Sequence, residues 1–132
     1  MKVFSALAIG ALLLAGCSGR QQAASSDPYA GLSDEILKWK TALAASDVSC
    51  KQAPAGQKCS MFEVSCKGSR PVAADEQAKG VTAKVVTDLT WSGFDDKGRD
   101  QTAGAAALFT RQNGAWTRSP AKPVNPETCA DL

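Results

Sequence analysis

The stretch that decides the fold is VTAKVVTDLTWSGFDDKGRDQTAGAAALFTRQNGAW, residues 81–116. Apolar and polar residues alternate over 81–91, which is the period of a half-buried β-strand. Composition and turn signals predict a further strand over 102–111 and a shorter one over 115–119. The stretch therefore predicts three consecutive antiparallel strands.

Two turns between these strands set the register in which they pair. Asn113-Gly114 is the preferred pair for a type I′ hairpin, and Asp96-Lys97-Gly98 suits a three-residue loop with Gly98 left-handed. This register collects the apolar side chains on one face, whereas a one-residue slip would scatter them over both faces. The predicted cross-strand pairs are Leu89–Ala105, Trp91–Ala103, Val85–Phe109 and Arg111–Trp116. The resulting apolar face comprises Val81, Ala83, Val85, Leu89, Trp91, Ala103, Ala105, Ala107, Phe109 and Trp116.

An amphipathic helix is predicted before the sheet, from Ser33 to about Ser46. Ser33 suits the N-cap, and Leu32 and Leu37 are spaced for a hydrophobic staple. One apolar stripe runs along the helix through Leu32, Ile36, Trp39 and Leu43. We expect this stripe, led by Trp39, to lie in the shallow channel that the row of alanines leaves on the sheet.

These elements predict an α+β fold, with one N-terminal helix packed on a curved antiparallel sheet of about four strands. CSMFEVSC, residues 59–66, has strand composition and supplies the remaining strand. The segment that follows it, up to residue 80, is predicted as a loop with a helical turn. A single domain is expected over residues 32–132.

Four of the five cysteines predict two disulfides: Cys50, Cys59, Cys66 and Cys129. A strand over 59–66 separates its end cysteines by about 23 Å, while bridged Cα atoms lie within about 7 Å, so Cys59 is not expected to pair with Cys66. The remaining pairings are 50–59 with 66–129, or 50–66 with 59–129. The first is favoured, because the intervening KQAPAGQK has the composition of a turn.

The fifth cysteine, Cys17, ends an export leader. Lys2 and the apolar run 3–14 have the form of a signal peptide, too short to span a bilayer. Leu14-Ala15-Gly16-Cys17 resembles the lipobox of bacterial lipoproteins. The resemblance implies that residues 1–16 are removed and that Cys17 carries the lipid anchor.

The same resemblance gives an expected location. An aspartate after the lipidated cysteine is typical of inner-membrane retention in such lipoproteins, so Ser18 favours the outer membrane, with the domain facing the periplasm. After the lipidated Cys17, the residues up to 31 are mostly small or polar. They are expected to form a flexible tether between the lipid and the domain.

Two stretches of the body, residues 39–47 and 95–116, combine a helical stretch that begins at a tryptophan with a pair of turn-linked strands, and they resemble the nuclear transport factor two-like superfamily. WKTALAASD, residues 39–47, is similar to its first helix, and DDKGRDQTAGAAALFTRQNGAW, residues 95–116, is similar to its late hairpins. The resemblance implies a cone-shaped sheet around a pocket, often dimeric through the sheet, so a homodimer is an expectation. The short 50–59 segment replaces the further helices of that superfamily, which makes a cystatin-like helix across a sheet the alternative architecture.

Composition argues against several classes of function. The chain has no histidine, which removes the most common general base and the Ser-His-Asp triad. The cysteine spacings match no zinc pattern, and no phosphate-binding or dinucleotide-binding motif occurs. The 15 basic and 13 acidic residues form no run of like charge, so nucleic-acid binding is not expected. No metal, cofactor or catalytic residue is predicted.

The candidate binding patch combines aromatic and basic residues near the last hairpin: Phe109, Arg111, Trp116 and Arg118. Arginine beside tryptophan is suited to contact carboxylates or glycans. The alternative is a cross-strand pair that closes the edge of the core. In the tail, Pro120, Pro123 and Pro126 either share one edge of a polyproline II helix or form a spacer that returns Cys129 to Cys66.

The sequence thus predicts an envelope lipoprotein that acts as a non-catalytic binding module. Its expected partners are the membrane, through the lipid, and either an envelope protein or a small apolar ligand. One alternative is a protective lipoprotein similar to the inhibitors of host lysozyme. Another is a small enzyme of the isomerase or dehydratase type, which an enclosed cavity with a buried carboxylate would favour.

Overall fold

The structure is a computed structural model, and it describes residues 27–132. The predicted signal peptide, Cys17 and the first part of the predicted tether lie outside the described residues. The helices of the described range are α1 (Leu32–Ser46), α2 (Val48–Lys51) and α3 (Ala74–Ala78), and the strands are β1 (Ser60–Arg70), β2 (Val81–Phe94), β3 (Asp100–Gln112) and β4 (Ala115–Pro120). No helix in residues 27–132 is long and apolar enough to cross a membrane.

The four strands form one open sheet in the order β1-β2-β3-β4, and all neighbours are antiparallel. The turn residues adopt the predicted left-handed backbone, with φ of 49° at Asn113, 82° at Gly114 and 72° at Gly98. The predicted register is confirmed at each of its pairs, Leu89–Ala105, Trp91–Ala103, Val85–Phe109 and Arg111–Trp116. β1 extends four residues beyond the predicted strand, because it pairs with β2 as far as Arg70.

Helix α1 packs its apolar stripe on one face of β2 and β3. Trp39 lies edge-on to Phe109, with 5.8 Å between the ring centroids, and Phe109 is only 1% exposed. Around this contact the core comprises Leu32, Ile36, Val85, Leu89, Trp91 and Ala107, with Leu43, Ala103, Ala105 and Trp116 packed against it. The predicted α+β fold, with a helix on a four-stranded antiparallel sheet, is therefore confirmed.

The start of α1 differs from the prediction. Gly31 occupies the N-cap with a left-handed backbone (φ 83°) and no side-chain cap, so the predicted N-cap at Ser33 is wrong. Leu37 is 58% exposed, so it forms no staple with the buried Leu32. The physical reason is a turn before the helix, in which the Leu32 N–H donates to the carbonyl oxygen of Tyr29.

The favoured disulfide pairing is confirmed. Cys50–Cys59 joins α2 to the residue before β1, with the two Cα atoms 5.1 Å apart. Cys66–Cys129 joins β1 to the C-terminal segment, with a Cα separation of 5.6 Å. The two bridges therefore attach the irregular segments on either side of the hairpins to the sheet, and such crosslinks stabilise a domain of this size by restricting its unfolded chain.

The C-terminal segment covers part of the sheet face opposite α1. Val124 and Cys129 form a second small core there with Cys66 and Val86. Pro126 lies in a turn closed by the Cys129 N–H, which donates to the carbonyl oxygen of Asn125 at 2.8 Å. Pro120 ends β4 and Pro126 begins this turn, so the three prolines do not lie in one polyproline II helix. The segment is the spacer that returns Cys129 to Cys66.

Candidate functional site

The residues of the predicted binding patch make contacts within the domain. Phe109 lies in the core, and Arg111 Nη1 donates to the carbonyl oxygens of Asp27 and Pro28, each at 3.1 Å. Trp116 Nε1 donates to the carbonyl oxygen of Ala30 at 2.8 Å. These contacts fit the alternative prediction, a pair that closes the edge of the core.

Arg118 is the exposed member of the predicted patch. Its guanidinium carbon lies 5.6 Å from the centroid of the Trp39 ring, within the range of a cation–π contact. It therefore covers the edge of the core beside Phe109, the residue with which it pairs across β3 and β4. The four residues do not combine into one open binding surface.

Because of these contacts, the folded domain begins earlier in the chain than the sequence predicts. Residues 27–31, which the sequence analysis assigned to the tether, form a turn on the sheet. Besides the bonds from Arg111 and Trp116, the Tyr29 hydroxyl and Ser69 Oγ share a hydrogen bond of 2.7 Å. The folded domain thus includes Asp27, five residues before the predicted boundary at Leu32.

A groove between α1 and the edge strand β1 is the candidate site. Two adjoining clefts of about 290 and 250 Å³ form it, and they share Ser33 and Lys67. The first cleft is also lined by Asp27, Tyr29, Leu32, Ser69 and Val85. The second is also lined by Ile36, Leu37, Lys40, Phe62, Val64 and Leu89. We call the two clefts together the α1–β1 groove.

One wall of the groove follows from helix periodicity. Ser33, Ile36, Leu37 and Lys40 are spaced three, one and three residues apart, so they share one side of α1. Ile36 points partly into the core and is buried, while Leu37 projects beyond it. The exposed position of Leu37 therefore supplies an apolar wall to the groove rather than a contact within the core.

A β-bulge decides which side chains form the other wall. Val64 pairs with Leu89 and Lys67 pairs with Thr87, two β2 residues on the face that α1 covers. Regular alternation would put residues three apart on opposite faces, but the register shifts between Val64 and Cys66. The bulge therefore brings Lys67 to the same face as Val64, which the sequence analysis missed.

The second cleft of the groove is mainly apolar and carries positive charge, whereas the first has a more polar lining that includes Asp27. Val64 is 38% exposed and faces the groove with Leu37 and Phe62, while Lys40 Nζ lies 5.7 Å from the centroid of the Phe62 ring. Lys67 makes no ion pair with any residue in 27–132. Such a surface suits a ligand with an apolar body and an anionic group.

Asp88 is the buried carboxyl group on the opposite face of the sheet. It pairs with Cys66 in β1 and is 9% exposed. Burial raises the pKa of the Asp88 carboxyl above its ordinary value, and a hydrogen bond from Ser65 offsets part of the increase. Asp88 is not among the residues of the predicted apolar face, and the structure places it on the opposite face, where its burial is a new finding. Asp88 does not line the α1–β1 groove.

The described residues offer little for metal chemistry. No group of three or more histidine, cysteine, aspartate or glutamate side chains in residues 27–132 is arranged to hold a metal ion. The α1–β1 groove offers a different chemistry, which is contact with apolar surface and attraction of anions.

Comparison with known proteins adds no relative. No protein-family model, no curated protein and no solved structure matches this chain. The two resemblances therefore depend on the residues quoted in the sequence analysis.

Replacement of Asp88 by asparagine is expected to stabilise the domain at neutral pH. Because the folded-state pKa is raised, ionised Asp88 opposes folding above that pKa, and this penalty declines as the pH falls from the raised pKa to the ordinary pKa of the unfolded chain. Asp88→Asn should therefore melt at a higher temperature than the natural chain at about pH 7, with a difference that shrinks towards about pH 3.

The control is Asp96→Asn, since Asp96 is exposed in the loop between β2 and β3. It should show no such convergence between the two pH values. The explanation is contradicted if Asp88→Asn melts at or below the temperature of the natural chain at neutral pH.

Proposed function

We propose that this protein is a lipoprotein anchored in the outer membrane by a lipid on Cys17, and that its periplasmic domain acts by binding a ligand in the α1–β1 groove. The anchor is supported by the Leu14-Ala15-Gly16-Cys17 sequence after an apolar leader. The disulfides Cys50–Cys59 and Cys66–Cys129 support an extracytoplasmic location, because such bridges persist in oxidising compartments.

The observation that carries the binding role is the exposure of apolar side chains along a cationic groove. Leu37 and Val64 are 58% and 38% exposed and line the same cleft as Lys40 and Lys67. Covering them with a ligand removes apolar surface from water, which contributes about 25 cal/mol for each Å². The groove therefore offers a ligand both apolar burial and charge attraction.

Binding without catalysis is favoured by the position of the remaining chemistry. The interface between α1 and the sheet is filled by Trp39, Phe109 and Leu89 rather than opened into a cavity. Asp88, the buried carboxyl with a raised pKa, lies on the other face of the sheet. An isomerase or dehydratase needs such a group beside its substrate. No specific feature of the described residues supports either that enzyme or the lysozyme-inhibitor alternative.

The anchor is tested by replacing Cys17 with serine in cells. The natural chain is expected to incorporate labelled palmitate and to fractionate with the outer membrane. Cys17→Ser should lose the label and the membrane association, since Cys17 is the predicted lipidation site. Retention of Cys17→Ser in the membrane fraction, or continued need for detergent by a chain that begins at Ser18, would contradict the anchor.

The groove is tested with anilinonaphthalene sulfonate, an aromatic apolar anion whose fluorescence rises in apolar sites. Leu37→Asp is expected to weaken binding by about tenfold, because it places a charge on the apolar wall. The matched control is Val48→Asp, since Val48 is 65% exposed but lies on α2, outside the groove. Fluorescence titration of both variants gives the answer, and equal losses in the two would reject the groove as the site.

A further inference from the structure

We propose that the natural ligand of the α1–β1 groove is a straight-chain carboxylate of the fatty-acid type. Its carboxylate lies at Lys67, and its chain runs along Val64, Leu37 and Phe62. The inference rests on the proposed function, because it names the ligand class of that same groove.

The apolar part of the groove is a continuous track beside the core. Phe62 is packed against the core and stacks on Trp91, with ring centroids 5.3 Å apart. Leu89 forms the buried floor of the second cleft, and Leu37 and Val64 project above it. A flexible hydrocarbon chain fits this arrangement, because its contacts are with side chains and need no directed hydrogen bonds.

The charge of the second cleft favours an anionic head group. The second cleft is lined by Lys40 and Lys67 and by no acidic residue. Lys40 lies over the Phe62 ring, which already offers its ammonium group a favourable contact. Lys67 lines both clefts and has no ion pair with another described residue, so it is the cation available to a carboxylate.

The size of the groove favours a single narrow chain. Its clefts of about 290 and 250 Å³ lie at or just under the lower end of the range for small-molecule pockets, about 300–1,000 Å³. A phospholipid with two chains or a bulky polycyclic ligand needs more room. One hydrocarbon chain fits the second cleft, with its carboxylate at Lys67, where the two clefts meet.

The position of the groove places it close to a source of such molecules. The described chain begins at Asp27, and Asp27 lines the first cleft. Residues 18–26 span at most about 30 Å even when fully extended. If Cys17 is lipidated as proposed, the groove is held within about that distance of a bilayer built from fatty-acyl chains.

A peptide is a weaker candidate for the same groove. An extended peptide would bind by adding a strand to the free edge of β1. Register shifts interrupt β1 between Ser60 and Glu63 and again between Val64 and Cys66. Such bulges disrupt regular pairing at a sheet edge and protect it from strand addition.

Calorimetric titration of the chain that begins at Ser18 tests the inference. This chain retains every contact of the described domain and lacks the lipid. Octanoate, decanoate, dodecanoate and tetradecanoate are the probes, below their micelle concentrations. Affinity should rise about two- to fourfold with each methylene that enters the groove and then level off, which measures the length of the track. Dodecanol, which lacks the charge, should bind about tenfold more weakly than dodecanoate.

Two variants assign the head group and the track. Lys67→Gln should weaken the binding of dodecanoate about tenfold and leave the binding of dodecanol unchanged. The variant would thereby lose the preference for the carboxylate. Leu37→Asp should weaken the binding of both ligands. The matched controls are Lys97→Gln and Val48→Asp, since Lys97 and Val48 are exposed and line neither cleft.

The outcomes separate this inference from the proposed function. If anilinonaphthalene sulfonate binds at the groove but no carboxylate displaces it, the fatty-acid inference is wrong and the proposed binding site stands. The same holds if an extended acidic peptide binds there and dodecanoate does not. If the dye and the carboxylates both fail to bind, both proposals are wrong. If Lys67→Gln and Lys97→Gln lose equal affinity for dodecanoate, the assignment of the head group to Lys67 is also wrong.

Discussion

The pairing of β2 with β3 is the constraint on which the rest of the structure depends. The tight loop with Gly98 left-handed fixes its register, and the turn at Asn113-Gly114 fixes the register of β4 on β3. A shift by one residue would put Leu89 and Phe109 on opposite faces of the sheet, and α1 would lose part of the apolar surface that it covers. With the register fixed, Trp39 contacts Phe109, and α1 acquires its position on the sheet.

The groove is a consequence of where that helix lies. Helix α1 packs on β2 and β3, so the edge strand β1 is left beside it rather than beneath it. The bulge after Val64 then turns Lys67 toward the open side of α1. Apolar exposure and an available cation therefore come from the same two features, the placement of one helix and the insertion of one residue in one strand. Edge-strand bulges often occur next to binding sites for this reason.

Much of the fold could be predicted because it depends on local signals. Turn residues and strand periodicity were enough for the register, and the composition of the 50–59 segment was enough for the disulfide pairing. The bulge that directs Lys67 has no such signal, since it arises from pairing with β2. The burial of Asp88 and the docking of residues 27–31 on Arg111 likewise depend on contacts between segments far apart in sequence. The candidate site was missed because it is assembled from those contacts.

The most direct test of this account is backbone amide NMR of the chain that begins at Ser18, titrated with dodecanoate. The account predicts shift changes grouped on residues 33–40 of α1 and 62–69 of β1, with the strongest changes around Leu37 and Lys67. Changes grouped on β4 around Trp116 and Arg118, or spread evenly over the sheet, would contradict it. The measurement reports the location of binding independently of its strength, which is the point on which the proposed function depends.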